Sequence, residues 1–277
     1  MLDAKTEKRL LSFVKEKPRT VQESAQLLKK NWRTAEAYLQ KIAAETGQIA
    51  FRTFREGTRG ALKIAYWNSI GEVNATGAQE LLFKRLEVGR KKEDFSAFDI
   101  YQYVDKDKRT AFFEEQEEEL INVKQDLVGS LLSAQQQVLI FSGNLSWANL
   151  QQGKKKLSDV FAELAERNIP VKFIADINIS SIDNAKRINA INSLSGKDRI
   201  EIRHVEQPLR AFVIDDRVVK LKEIKDPHET GKKKTYIFYE VYDAEWIEWI
   251  KKVFWHFFAS GIPLKKRIED LKTVKRI

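Results

Sequence analysis

Residues 20–67 read TVQESAQLLKKNWRTAEAYLQKIAAETGQIAFRTFREGTRGALKIAYW. Thr20-Val21-Gln22-Glu23 has the form of a capping box: the hydroxyl can accept from the backbone N–H three residues on, and the carboxylate can reach back. A short helix follows to Leu28. Lys29-Lys30-Asn31 makes the turn into a third helix whose inner face carries Ala35, Leu39 and Ile42, and Gly47 is placed to stop it in a left-handed conformation. Two strand-like runs, QIAFRTFRE and ALKIAYW, flank the tip Gly57-Thr58-Arg59-Gly60, whose glycines permit hairpin backbone angles. Upstream, Leu10, Leu11 and Val14 sit at helical spacing until Pro18 interrupts.

The charge is confined to the same end. Residues 1–92 hold 19 Lys+Arg and 10 Asp+Glu, whereas residues 93–277 hold 30 of each, so the first third carries the whole net charge of +9. A basic module on a neutral body fits a part that meets a polyanion, although charge alone is equally met by a solvated surface. The 277 residues suffice for two domains, and an apolar fraction of 43% with 32% charged residues describes a soluble globular chain. The absence of cysteine excludes disulfides, thiolate metal sites and a cysteine nucleophile. His204, His228 and His256 have no short metal-ligand spacing, so no metal or other cofactor is expected. No signal peptide and no run of bilayer length is visible, which leads to the expectation of a cytoplasmic protein without membrane contact.

Three helices and a hairpin in this order are the plan of a winged helix-turn-helix, and the stretch Asn31 to Ile42, then Gly47 and a two-stranded wing, resembles the winged helix of archaeal and bacterial transcription regulators over about residues 5–67. The resemblance implies that the third helix enters the major groove of double-stranded DNA and that the wing lies along the backbone. On that helix Arg33 and Gln40 suit base edges, while Thr34 and Lys41 suit phosphate. The wing offers Arg52, Arg55 and Arg59. Trp32 is expected in the core, and Tyr38 is open between core and surface.

Beyond the wing, residues 71–108 show no sustained periodicity and read as a linker with one short helix around Gln79–Leu86 and a basic cluster at Arg90-Lys91-Lys92. A long helix is expected from Thr110 to Gln136. Phe113, Gln116, Leu120, Val123, Leu127, Ser130 and Ala134 form a heptad-like seam, and Glu114–Glu119 favours its first turns. Two readings stand: packing on its own domain, or pairing of two copies in a homodimer.

From residue 138 strands and helices alternate: strands at Val138–Ser142, Val171–Asp176, Ile200–His204, Ala211–Ile214, Val218–Leu221 and Tyr236–Tyr242, and helices at Leu150–Arg167, Ser181–Leu194 and Ala244–Phe258. That order predicts an α/β layer with a mixed sheet. Within it, Pro208-Leu209-Arg210-Ala211-Phe212-Val213-Ile214-Asp215 resembles the phospholipase D superfamily strand His-x-Lys-x4-Asp. Aligning Asp215 puts Pro208 at the histidine, so the nucleophile is lost, and Arg210 at the lysine, where it keeps a charge able to meet an anion. Ser142 to Trp147 is similar to a post-strand loop of the same family.

The expected architecture is therefore an α+β/α/β two-domain chain: a winged helix-turn-helix over 1–70, the linker, a phospholipase D-like domain over 109–260 and a basic tail over 261–277. A winged helix followed by a non-catalytic phospholipase D-like domain is the arrangement of TrmB-type regulators. That resemblance implies a DNA-binding homodimer without catalysis, and it leaves a small-molecule effector open. Two rivals stand beside it. One is a nuclease or phosphodiesterase in which His204 replaces the lost histidine; the other is a winged helix that binds protein. Lys222–Lys234 reads as a solvated basic loop, the apolar helix 244–258 as core plus subunit contact, and the tail as either a second DNA contact or an exposed end.

Overall fold

The structure, a computed structural model, describes residues 2–46, 49–55, 61–67, 75–116, 126–152, 154–225 and 234–274. The head comprises α1 (Ala4–Glu16), β1 (Arg19–Thr20), α2 (Val21–Leu28), α3 (Trp32–Thr46), β2 (Ile49–Arg55) and β3 (Ala61–Trp67). The capping box forms as read: Glu23 N donates to Thr20 Oγ1 at 3.1 Å and Thr20 N to Glu23 Oε2 at 2.6 Å. Lys29 closes α2 in the left-handed region at φ 53°. Leu10, Val14, Val21, Ala35, Leu39 and Ile42 are buried and form the head core.

The hairpin has two apolar faces. Strand pleating sends Ile49, Phe51 and Ala65 into the head core, and Phe54, Leu62, Ile64 and Tyr66 the other way, into a core shared with the rest of the chain. Phe54 lies among Phe98, Tyr101 and Tyr239, with ring centroids 6.2–6.4 Å away.

After α4 (Ala75–Val88) and α5 (Phe98–Tyr101) come β4 (Arg109–Gln116), α6 (Leu127–Leu132), β5 (Val138–Phe141), β6 (Gln151–Gln152), β7 (Lys155–Lys156), α7 (Leu157–Glu166), β8 (Val171–Ala175) and α8 (Ile182–Ser195). The chain continues through β9 (Ile200–His204), β10 (Ala211–Ile214), β11 (Val218–Lys225), β12 (Lys234–Val241), α9 (Ala244–Ser260), β13 (Ile262–Pro263) and α10 (Leu264–Val274). Among the described residues eight strands make one mixed sheet, in the order β13-β9-β8-β5-β10-β11-β12-β4. The β5–β8 and β8–β9 pairs are parallel and the other pairs antiparallel. The alternation of strands and helices had called for a mixed sheet of this kind. Helix α9 covers one face, with Trp246, Ile250, Val253, Phe254 and Phe257 buried within the chain.

Four expectations are corrected. The helix expected over Thr110–Gln136 does not begin as expected: Arg109–Gln116 is an edge strand paired with β12 over eight residues, residues 117–125 lie outside the described residues, and Leu127–Leu132 is the short helix α6. Phe112 stacks on Phe238 at 5.4 Å, a cross-strand contact that outweighs the helical look of the acidic run. Leu120 and Val123 of the expected seam lie outside the described residues. The linker is core: Leu82, Leu86, Phe95, Phe98 and Ile100 are buried with the sheet. The helix expected from Leu150 starts at Leu157, after the short β6–β7 ribbon. Finally, Lys222–Lys225 belongs to β11 and not to a solvated loop, and Lys225 is buried.

Lys225 joins head and body. Its Nζ lies 2.9 Å from Glu223 Oε1 and 3.7 Å from Glu23 Oε2, and it donates to Pro18 O at 2.9 Å. Glu223 also accepts from Ser96 Oγ at 2.7 Å and Tyr239 OH at 3.2 Å. Burial pushes the Lys225 ammonium down, but its two carboxylate partners outweigh that and leave it above the usual lysine value.

Asp99, on α5, sits at the same seam, 4% exposed and 2.8 Å from Arg85 Nη2. Burial outweighs that pairing and pushes its carboxyl up to about 6. The folded chain thus holds this proton more tightly than the unfolded chain, so the Asp99 contribution is most favourable below the ordinary value of 3.8 and is lost as pH rises to about 6. Urea unfolding across this window should show a loss of roughly 3 kcal/mol in the parent that is missing from Asp99→Asn. Parallel pH profiles for the two proteins would refute the assignment.

Candidate nucleic-acid interface and basic cleft

The outer face of α3 is open. Trp32, Arg33, Ala37, Gln40 and Lys41 are exposed, while Ala35, Leu39 and Ile42 anchor the opposite face. Asn31 caps the helix by accepting from Thr34 N at 2.8 Å, which leaves the Thr34 side chain half-buried. Trp32 is not in the core as expected: it is 50% exposed, with the Arg33 guanidinium 5.4 Å from its ring centroid. It occupies the first helical position, ahead of the buried stripe that begins at Ala35. Glu36 on this helix is engaged by Lys63 from β3 and by Gln40 Nε2 at 3.2 Å.

The wing residues fare differently. Arg52 is half-buried and, by register with Ile64, lies on the hairpin face turned toward the body. There it faces Arg109, whose guanidinium is lowered below its usual value chiefly by burial, with the Arg52 charge adding to the effect. Arg55 ends β2 opposite Ala61. Its side chain, and all of Arg59, fall outside the described residues.

The Pro208–Asp215 segment carries β10. Asp215 is buried at φ 52° and accepts from Gln135 N, Gln136 N and Gln137 N at 2.9–3.0 Å. Burial pushes its carboxyl up, but these three N–H groups with Arg217 outweigh that and hold it below the usual aspartate range. Asp215 therefore anchors the turn that feeds β5. Pro208 is buried against Gly89 so closely that a methyl group there would lie 2.8 Å from Pro208 Cγ. Pro208, the position aligned with the motif histidine, is the seat for the end of α4.

Arg210 crosses the end of β5 over Gly143, where a Cβ would meet its Nη2 at 2.6 Å, and Nη1 donates to Leu209 O at 2.7 Å. It borders a cleft of about 410 Å³. The turn Arg90-Lys91-Lys92 forms one wall, Lys220 and Lys222 of β11 another, and Trp147 and Phe212 an apolar part. The sequence singles out Arg210 but leaves Arg90–Lys92 in a linker; packing such as Gly89 on Pro208 and the Ser96–Glu223 bond brings that turn to the sheet.

His204 lies elsewhere in the sheet from the strand that follows Pro208. It ends β9, which is separated from β10 by β8 and β5, and its Nδ1 accepts from Ile177 N at 3.0 Å. Candidate ligand atoms of His204, Asp176 and Glu206 lie within 4.8 Å of one another, a grouping the sequence spacing did not show. Burial first, then Arg267, lowers the imidazole, and that neighbouring cation works against a bound metal ion. No helix among the described residues is long and apolar enough to cross a membrane.

No family model matches the chain, and no curated protein matches it. Solved structures similar to it include Nuc, a phospholipase D family member from Salmonella typhimurium (13% identity, TM-score 0.40, covering 56% of this chain and 97% of that one). NucT from Helicobacter pylori is 15% identical, with TM-score 0.39 over 56% of this chain and 99% of its own. TrmBL2, described as an archaeal chromatin protein with a novel mode of DNA binding, is 13% identical, with TM-score 0.40 and 94% of each chain covered. At these scores the likenesses carry no functional weight, and the reading below rests on side chains.

Proposed function

We propose that the chain is a DNA-binding regulator whose α3 face docks on duplex DNA and whose sheet domain performs no chemistry. The observation that carries this is the open α3 surface: Arg33, Gln40 and Lys41 stand exposed on a helix whose other face is locked into the head core. Lys41 suits phosphate, and Gln40 and Arg33 suit base edges. The hairpin takes a smaller part than a free wing would, because Phe54, Leu62 and Ile64 hold it against the body. Against catalysis stand Pro208 packed on Gly89, Asp215 spent on three backbone N–H groups, and His204 turned to Ile177. Phe113 and Gln116, which open the expected pairing seam, lie in β4, so the reading is stated for a single chain.

The test is the affinity for a short random duplex against salt. Counterion release by several phosphate contacts should give a log–log slope on the order of −3 to −4. A slope near zero, or no retention of duplex at low salt, rejects the reading in favour of a protein-binding winged helix.

A further inference from the structure

Strand β3 sends alternate side chains to opposite sides: Leu62 and Ile64 enter the core shared with the body, and Ala65 enters the head core. Lys63 stands on the same side as Ala65, opposite Thr53 in the hairpin, and its ammonium reaches Glu36 on α3. The Glu36 side chain is 15% exposed, so it is held in place and not waving in solvent. Its Oε1 takes the Lys63 ammonium and also accepts from Gln40 Nε2 at 3.2 Å, one helical turn on. Three side chains thus run in series from the hairpin to the open face of α3 and end on exposed Gln40.

This series fixes which way the Gln40 amide points. A carboxylate paired with an ammonium offers acceptors alone, so the end of the amide that faces Glu36 is its nitrogen. One N–H of that nitrogen is engaged. The second N–H and the carbonyl oxygen remain, a donor and an acceptor side by side in set order. In the major groove adenine shows the complementary pair, an N7 acceptor beside an N6 donor. Guanine shows two acceptors, cytosine one donor, and thymine one acceptor with a methyl group, so each of these satisfies at most one of the two. An unheld glutamine reaches adenine too, but it can also turn to meet any of the other three through one bond. Holding the amide removes that freedom and lowers the ordering cost of the adenine contact. The backbone beneath is equally fixed, because Ala35 and Leu39, the neighbours of Glu36 and Gln40 in sequence, are fully buried in the head core.

We propose that Glu36 and Lys63 are positioning residues for base readout: they set the Gln40 amide to read adenine, and the hairpin takes part in specificity through Lys63. The inference rests on the docking of α3 on duplex DNA and adds which base Gln40 reads and what enforces the choice.

The experiment selects bound sequences from a random duplex library with the full chain. Affinities are then measured for the selected duplex and for every single base-pair replacement in it. The parent should show one position at which adenine is preferred by about fivefold or more. Gln40→Ala should erase the preference at that position and leave the other positions as they are. Glu36→Ala and Lys63→Met should each cut the adenine preference there by about threefold or more. Glu36→Gln, whose side-chain oxygen can accept from the same two donors, should stay within about twofold of the parent, which separates positioning from the mere removal of a negative charge near DNA. The proposal is overturned if no position depends on Gln40, if that position prefers another base, if Glu36→Ala or Lys63→Met keeps the parent's preference, or if Glu36→Gln loses as much as Glu36→Ala. Each of those results leaves duplex binding and its salt dependence intact. Failure to retain any duplex would instead reject the α3 reading itself, and this inference with it.

Discussion

Replacing Lys225 with alanine is expected to cost about 3–5 kcal/mol of folding stability, the range for breaking a buried ion pair from one side. The side chain is 4% exposed, and its loss strands Glu223, 8% exposed, in a seam closed by the head. Glu23 suffers less, because it keeps its capping-box bond to Thr20 N and a guanidinium of Arg19 at 3.9 Å. The penalty arises from the orphaned carboxylate more than from any net strength of the pair, so Lys225→Met combined with Glu223→Gln should recover at least about 1.5 kcal/mol relative to the sum of the single changes. The amide introduced by Glu223→Gln would still be able to meet Ser96 and Tyr239. Since the folded pKa of Lys225 lies above the ordinary 10.5, its stabilising contribution is complete at neutral pH and is lost only as pH rises through that raised value. Urea midpoints for the single variants and the double variant measure all of this. A cost under about 1 kcal/mol for Lys225→Ala would mean that the seam opens to water and the head is tethered more loosely than the packing of Phe54 indicates.

The head was legible in the sequence because its signals are local. A capping box, a turn, a buried stripe at Ala35, Leu39 and Ile42, and a hairpin each fit within a few residues, and each appears in the structure. What failed was long-range. Strand β11 hides its true length because neither face follows simple apolar alternation: one carries the Glu223–Lys225 network and the other the cleft lysines. Strand β4 is an edge strand with an acidic end, so its residues resemble the first turn of a helix, and only pairing with β12 reveals them. The 75–108 segment lacks a clear period because it buries side chains on several sides, as Phe95, Phe98, Ile100 and Tyr101 show. The same limit governs the cleft. Arg210 could be found by its motif, but its nearness to Arg90–Lys92 arises from long-range packing, including that of Gly89 on Pro208, residues 119 positions apart in sequence.

Reversing Arg33 and Lys41 together is expected to weaken duplex binding by ~100-fold or more and to reduce the salt slope by at least about 1 unit, for the phosphate-facing Lys41, with loss of base preference at the Arg33 contact. Both residues are exposed and neither contributes to the head core, so thermal unfolding should shift little. The change in net charge alone would lower affinity for any polyanion, so the informative control is Lys265→Glu with Lys266→Glu on α10, which alters total charge by the same amount from exposed positions at the other end of the chain. If α3 is the docking surface, the control should lose less than about threefold at ~0.15 M salt, where fields beyond roughly 8 Å are screened. Equal losses in the two variants would assign binding to diffuse charge and remove the special role of α3. A large loss only in the α10 variant would move the interface to the tail, which the sequence left open as a second contact.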